Sequence, residues 1–113
     1  MNIQQENILT QSDAQELIAI AEQNEGLLVI PSRFTSIERE VFKGCQKIKS
    51  IVIENGVKII EAAAFKGCQQ VASVILPETL ESIKQEAFTF CSAIHEVHIP
   101  DSVTFIGFGA FKS

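Results

Sequence analysis

Apolar positions in this chain recur every 23 residues from Leu28 to the end of the sequence. A single globular core has no reason to recur at a fixed spacing. A solenoid does, because each of its coils must bury the same face against its neighbours. The pattern therefore predicts a repeat solenoid. The repeating columns are Phe42, Phe65, Phe88 and Phe111; Cys45, Cys68 and Cys91; and Ile37, Ile60, Ile83 and Ile106.

Each repeat opens with a run of three apolar, mostly β-branched residues, which is typical of a strand. In such a run the outer two side chains share one face and the middle one points the other way. Proline lacks the N–H that a parallel ladder needs. It directly follows three of the four runs, and Glu54 follows the other. We therefore expect short strands at residues 28–30, 51–53, 74–76 and 97–99.

The second half of each repeat has a helical pattern. In the first repeat Ile37, Val41 and Cys45 are spaced by four, and Gly44 suits the end of a helical turn. Parallel strands joined in this way stack into one sheet, with the short helical turns along the other side. The predicted fold class is therefore an α/β repeat solenoid.

Residues 1–26 lie outside the repeat and predict one helix near 12–24. Ser12 with Gln15 three positions later is a capping-box pattern, and Gly26 suits the left-handed residue that follows a helix. Because no coil stacks on the first coil of a solenoid, we interpret this helix as an N-terminal cap. Its apolar stripe consists of Ala14, Leu17, Ile18 and Ala21.

The chain thus divides into a capping segment, 1–26, and a solenoid, 27–113. The predicted repeats are 28–50, 51–73, 74–96 and 97–113.

The third repeat carries a recognisable pattern from Leu76 to Ile94, with Pro77 near its start and Ala87-Phe88-x-x-Cys91 near its end. The pattern resembles the BspA-like (Treponema pallidum type) leucine-rich repeats, and the resemblance covers residues 28–113. It implies a right-handed leucine-rich-repeat solenoid. It also implies a cell-surface or secreted protein concerned with adhesion and protein binding.

The net charge of −5 argues against a nucleic-acid partner, because such a surface needs clustered Lys and Arg. No apolar run approaches the roughly 18 residues of a membrane span, so no membrane insertion is expected. Residues 1–10 lack the basic start and apolar middle of a signal peptide. On that basis the protein either stays in the cytoplasm or has had a leader removed, and the family resemblance implies the cell surface or secretion.

Cys91, His95 and His98 are the nearest approach to a metal site in the sequence. Alternation along a strand sends the two histidines to opposite faces, and Cys91 belongs to the core column. Ligands that do not converge hold no zinc, and a thiol in apolar surroundings is a poor nucleophile. We therefore expect a non-enzymatic protein without metal or cofactor.

The cysteine and phenylalanine columns are expected to form core. Side chains on stacked coils point in parallel, which is poor geometry for a disulfide, so all three cysteines are predicted to be free, buried thiols. The phenylalanine rings are predicted to stack from coil to coil. Lys43, Lys66 and Lys112 make a basic column with acidic residues close by, which is typical of a solvated face of mixed charge.

The outward side of the strands is the candidate surface for a protein partner. Its middle column is aliphatic in three repeats, and an exposed apolar strip of this kind marks interaction sites. The alternative, that β-branched residues merely suit exposed strands, stays open. The candidate binding residues are Val29, Ser50, Val52, Glu54, Ser73, Ile75, Glu96 and His98.

The last repeat suggests a second function, a structural unit that associates end to end. Phe105 and Phe108 break the repeat pattern and, with Phe111, make this coil the most aromatic part of the chain. The three rings either fold over the end of the solenoid or meet the same patch on a second copy, giving a twofold homodimer.

Overall fold

The computed structural model describes residues 7–113, which form one helix and eight short strands. The strands pair in parallel and form two sheets. The three-stranded sheet has the order β2-β4-β6, and the five-stranded sheet has the order β1-β3-β5-β7-β8. The elements are β1 (Ile8–Leu9), α1 (Gln11–Glu22), β2 (Leu27–Ile30), β3 (Ser36–Ile37), β4 (Ser50–Ile53), β5 (Ile59–Ile60), β6 (Ser73–Ile75), β7 (Ser82–Ile83) and β8 (Phe105–Ile106).

The strand register confirms the predicted period. In the three-stranded sheet Leu28 pairs with Ile51, and Ile51 pairs with Val74. In the five-stranded sheet Ile60 pairs with Ile83 in the same way. Each of these pairs joins residues that are 23 positions apart in the sequence, so one repeat is one coil of the solenoid.

The second sheet was not predicted. Its strands contain only two residues each, such as Ser36–Ile37 and Ile59–Ile60. An alternating pattern needs about four residues to become visible, so strands this short leave no periodic signal. The isoleucine column therefore lies on strands of its own, and each coil contributes to two parallel sheets.

The fourth predicted strand, residues 97–99, is not a strand in the structure, and β6 is the last strand of its sheet among residues 7–113. Val97 and Ile99 are only partly buried, whereas the equivalent Ile51 and Ile53 are buried. In the structure this segment packs against one neighbouring coil, so it is less buried than the strands that lie between two layers.

The stretch predicted as a helical turn is a series of tight turns. The amides of Lys43 and Cys45 donate to carbonyl oxygens three residues earlier, whereas those of Phe42 and Gly44 donate to Ala64 and Lys66 of the next coil. In a helix every amide donates to a carbonyl of the same helix, but here every second amide donates to a carbonyl of the next coil. The alternation explains why helix-forming residues do not form a helix.

The phenylalanine column forms the predicted stack. Consecutive ring centroids are 5.0, 5.2 and 5.2 Å apart, and the ring planes are within 5° of parallel. Parallel rings at this separation are offset, which is a favourable arrangement for aromatic pairs. The Phe42, Phe65 and Phe88 side chains are almost fully buried, so this column is the centre of the core.

Helix α1 covers the first coil, as the sequence predicts, although its start differs. Its N-cap is Thr10 rather than Ser12, and the Thr10 N–H donates to the Asp13 carboxylate at 3.0 Å. This hydrogen bond holds the pKa of the Asp13 carboxyl below its usual value. The apolar stripe of α1 is buried at Ala14, Leu17 and Ala21, and the helix packs against β2.

Strand β1 extends the repeat into the segment that the sequence analysis left outside it. Leu9 pairs with Ile37 and is fully buried, so it is the first member of the isoleucine column. The Asn7 and Leu9 carbonyls accept hydrogen bonds from the Thr35 and Glu38 amides. The signal in the sequence was an apolar pair directly before the helix, at a spacing of 28 from Ile37 instead of 23. The extra residues form part of α1.

Candidate protein-binding surface

The strand face, defined as the outward side of β2, β4 and β6, has the predicted register. Leu28, Ile51 and Val74 point into the core, whereas Val29, Val52 and Ile75 point outward. Val29 pairs with Val52 and Val52 with Ile75, so the three side chains lie in line. Ile75 is 61% exposed and the two valines are half-buried. The strand face therefore has a continuous aliphatic strip.

Polar residues flank this strip. Ser50 is half-buried and Ser73, its partner in the ladder, is exposed. Glu54 stands where other repeats have proline, so its N–H is free to extend the ladder to the Ile30 carbonyl. Its carboxylate accepts a hydrogen bond of 3.1 Å from the Ser32 amide. Glu54 thus has a structural role in the turn as well as a place beside the strip.

Glu96 and His98, the last two predicted strand-face residues, lie on the unpaired segment of the fourth coil. Both side chains are exposed. Because residues 97–99 form no ladder with β6, the structure does not continue the strip across His98. The ordered part of the predicted surface therefore extends from Val29 to Ile75.

Cys91, His95 and His98 do not converge. Cys91 is buried and its thiol donates to the Phe65 carbonyl, while both histidines are exposed. Within residues 7–113 there is no group of three or more His, Cys, Asp or Glu side chains that fits a metal ion.

The cysteines are free, but the prediction that all three are buried is wrong for Cys45, which is partly exposed. The Cys68 thiol donates to the Phe42 carbonyl at 3.0 Å, and the Cys91 thiol makes the same bond to Phe65. Cys45 has α1 before it instead of a coil, so the equivalent carbonyl is missing. The adjacent Cys91 thiol and burial raise the pKa of the Cys68 thiol.

The five-stranded sheet presents a second outward surface that sequence reasoning missed. A shallow groove of about 410 Å³ lies at its edge, mostly along residues that follow the strands, and the Lys84 ammonium lies 5.2 Å from the centroid of the Phe105 ring. The only signal in the sequence was Phe105 itself, which departs from the repeat. The groove is lined by Arg39, Glu61, Ala62, Lys84, Gln85 and Phe105.

The three aromatic residues proposed for self-association do not form one exposed group. Phe108 is 85% exposed and Phe105 is 49% exposed. Phe111 instead stacks on Phe88 as the last ring of the phenylalanine column. Phe105 and Phe108 therefore remain candidates for a contact surface, and Phe111 belongs to the core.

In the part of the chain that the structure describes, no helix has the length and apolar character that crossing a membrane requires.

Parallel strands that recur every 23 residues, with an aromatic column inside and a helix over the first coil, define a solenoid of the leucine-rich-repeat class. The BspA type leucine-rich repeat region matches residues 23–113 in 6 copies. The chain therefore belongs to the BspA-type leucine-rich-repeat family.

Solved leucine-rich-repeat proteins share the fold. One from Bacteroides ovatus is similar with a TM-score of 0.73 and 28% identity, over 79% of this chain and 26% of its own. One from Bacteroides capillosus gives 0.68 and 27%, over 71% and 65%. The Treponema pallidum protein gives 0.68 and 24%, over 77% and 54%, which shows the fold alone. The chain thus spans between about a quarter and two thirds of these relatives. No curated protein matches the sequence.

Proposed function

We propose that this chain is a non-enzymatic module that binds a partner protein through its strand face. The observation that carries the proposal is the aliphatic strip, in which Ile75 is 61% exposed directly beside Val52. Leucine-rich-repeat proteins are generally protein-interaction modules, which agrees with this use. Adhesion at a cell surface is the setting that we propose for such binding.

The chemistry of the strip indicates the kind of contact. A narrow aliphatic line flanked by serine and glutamate favours an apolar ridge on the partner with polar groups on either side. Burial of the exposed part of Ile75 would supply the apolar centre of the interface, and the rim residues would supply specificity.

Val52→Glu combined with Ile75→Glu is expected to abolish partner binding while the thermal midpoint stays nearly unchanged. Both side chains point outward, so the two carboxylates would be solvated in the free protein and desolvated in the complex. Affinity capture from the source organism, followed by titration calorimetry with the captured partner, measures the effect.

Ile20→Glu is the matched control, because Ile20 is 62% exposed on the outer side of α1, almost the same as Ile75. It adds a carboxylate elsewhere and should leave binding intact. Full affinity in the double variant would rule out the strand face.

A second candidate function, self-association, is favoured by the exposure of Phe108, which at 85% is high for an aromatic side chain. Phe105→Ser with Phe108→Gln restores the polar residues of the third repeat and is expected to shift a dimer toward monomer. Sedimentation velocity measures the shift. A wild-type protein that stays monomeric at high micromolar concentration would exclude this function.

A further inference from the structure

The fourth coil keeps the repeat register on the side of the five-stranded sheet. The Glu81 amide donates to the Lys58 carbonyl at 2.8 Å, and the Thr104 amide continues the series to the Glu81 carbonyl at 2.9 Å. Each bond joins residues that are 23 positions apart. On this side the ladder therefore runs unbroken into the last coil.

The equivalent series beside the three-stranded sheet stops one coil earlier. The Lys49 amide donates to the Gly26 carbonyl at 2.8 Å, and the Ala72 amide donates to the Lys49 carbonyl at 3.0 Å. Within residues 7–113 the Ala72 carbonyl accepts no backbone amide, although His95 has the next position in the series. Alternate residues of a parallel strand face opposite neighbours, so the N–H and carbonyl of Val74 in β6 are turned toward an edge without a strand.

We define the strap as residues 95–99, the segment that lies beside this edge. It has the same length as the equivalent segment of the third coil, its inward positions are apolar, and a proline follows it. Its outward positions differ, because Glu96 replaces a serine and His98 replaces an isoleucine. Polar residues suit exposed strand positions but make weaker cross-strand contacts. The strap is therefore able to pair with β6, at a smaller gain in stability than the earlier strands.

The chain on both sides of the strap is already in place. Before it, the Ile94 amide donates to the Cys91 carbonyl at 3.1 Å, and after it the Val103 amide donates to the Pro100 carbonyl at 3.1 Å. The equivalent amides one repeat earlier make the same bonds at 3.2 and 3.1 Å. Pairing with β6 thus requires a change in the strap and its adjoining turn, and no rearrangement of the coil.

The turn after the strap has an unsatisfied polar group. The Ser102 hydroxyl is buried and has no hydrogen-bond partner. Its equivalent in the third coil, the Thr79 hydroxyl, accepts from the Gly56 amide at 2.9 Å and donates to the Val57 carbonyl at 2.8 Å. A buried hydroxyl without a partner is unfavourable, and the repeat register offers Ser102 the same two kinds of partner in the third coil.

The interior beside the strap is not filled. A cavity of about 160 Å³ lies there, and Phe88, Val97 and Phe111 are among its lining residues. Val74, the equivalent of Val97 one coil earlier, is only 7% exposed. Inward movement of Val97 to the equivalent position would fill part of this space, which favours a closed strap.

We propose that the strap is a two-state device that closes on β6 as a fourth strand and thereby lengthens the strand face. Closure places Glu96 and His98 in line with Ser73 and Ile75. A partner that reaches beyond Ile75 selects the closed state, because only that state presents Glu96 and His98 in register. This use rests on the proposed function of the strand face, but closure is measured without a partner, so the two proposals fail separately.

The test is amide hydrogen exchange of the whole chain, followed by NMR. In the wild type we expect the Val74 amide to exchange about tenfold or more faster than the Ile51 amide, which has the same position in β4 and faces β6. Glu96→Ser with His98→Ile restores the residues of the third coil. This double variant should slow exchange at Val74 by about tenfold or more and give a nuclear Overhauser contact between residue 98 and Ile75.

Phe108→Gln is the matched control, because it also restores a third-coil residue in the fourth coil but lies outside the strap. It should leave exchange at Val74 within about twofold of the wild type. Equal slowing in this control would show that the effect does not come from the strap and would overturn the proposal.

A second measurement detects the closed state in the wild type. Relaxation dispersion should show exchange on the microsecond-to-millisecond scale at the strap amides, with shift differences that point toward the spectrum of the double variant. Three results overturn the proposal: exchange at Val74 as slow as at Ile51 in the wild type, fast exchange at Val74 in the double variant, or no dispersion in the strap.

Discussion

Phe65→Ala is expected to lower the free energy of unfolding by about 3–5 kcal/mol, the loss usual for a large aromatic side chain in a close-packed core. Phe65 is fully buried, and its ring stacks on both sides, 5.0 Å from Phe42 and 5.2 Å from Phe88. Its removal would leave a cavity in the middle of the column and break two aromatic contacts. Urea denaturation followed by circular dichroism measures the change.

Phe111→Ala is the matched control for this prediction. Phe111 belongs to the same column, but it has one stacking partner at 5.2 Å and is only partly buried. We expect it to cost clearly less than Phe65→Ala. Equal losses at the two positions would show that stacking and burial along the column do not determine the stability of the coils.

Gly56→Ala is expected to destabilise the protein by about 3 kcal/mol or more. Gly56 has a φ angle of 123°, which residues with a side chain rarely adopt. A Cβ atom at Gly56 would also overlap the Ser32 carbonyl oxygen of the preceding coil. Backbone on both sides of the overlap leaves no flexible group to move away, so the first two coils would separate locally.

Gly44→Ala isolates the conformational part of this cost. Gly44 also has a left-handed φ angle, 71°, but an added Cβ would meet no atom within 4 Å. The expected loss is about 1 kcal/mol. Thermal melts of the two variants give the comparison, and a Gly56→Ala protein as stable as Gly44→Ala would contradict the close approach of Gly56 to Ser32.

Burial explains why the period and the columns could be predicted. Phe65, Cys68 and Ile60 each meet their counterparts in the neighbouring coils, so each position demands the same type of residue in every repeat. The outward register of Val52 and Ile75 follows from the same alternation. Such features leave a pattern in the sequence because many contacts depend on each residue.

Other features depend on contacts that composition does not reveal. The residues around Phe42 form turns instead of a helix because alternate amides donate to the next coil. The side chains give no sequence pattern that distinguishes these turns from a helix. The exposure of Cys45 follows from what covers the first coil and not from its own repeat. Phe90 stands where the two earlier coils have Gly44 and Gly67. Only its φ angle of 64° shows that a side chain at this position has a conformational cost.

The constant register of the coils has a consequence for how such a gene can change in length. Bonds between neighbouring coils recur from repeat to repeat: the Cys68 thiol donates to the Phe42 carbonyl and the Cys91 thiol donates to the Phe65 carbonyl, and both bonds span 26 residues. Duplication of residues 51–73 would reproduce each of these contacts and add one layer. An insertion of 22 or 24 residues would instead shift core side chains to the surface along the new coil. Selection on the encoded protein thus admits recombination in whole repeats and removes most other insertions.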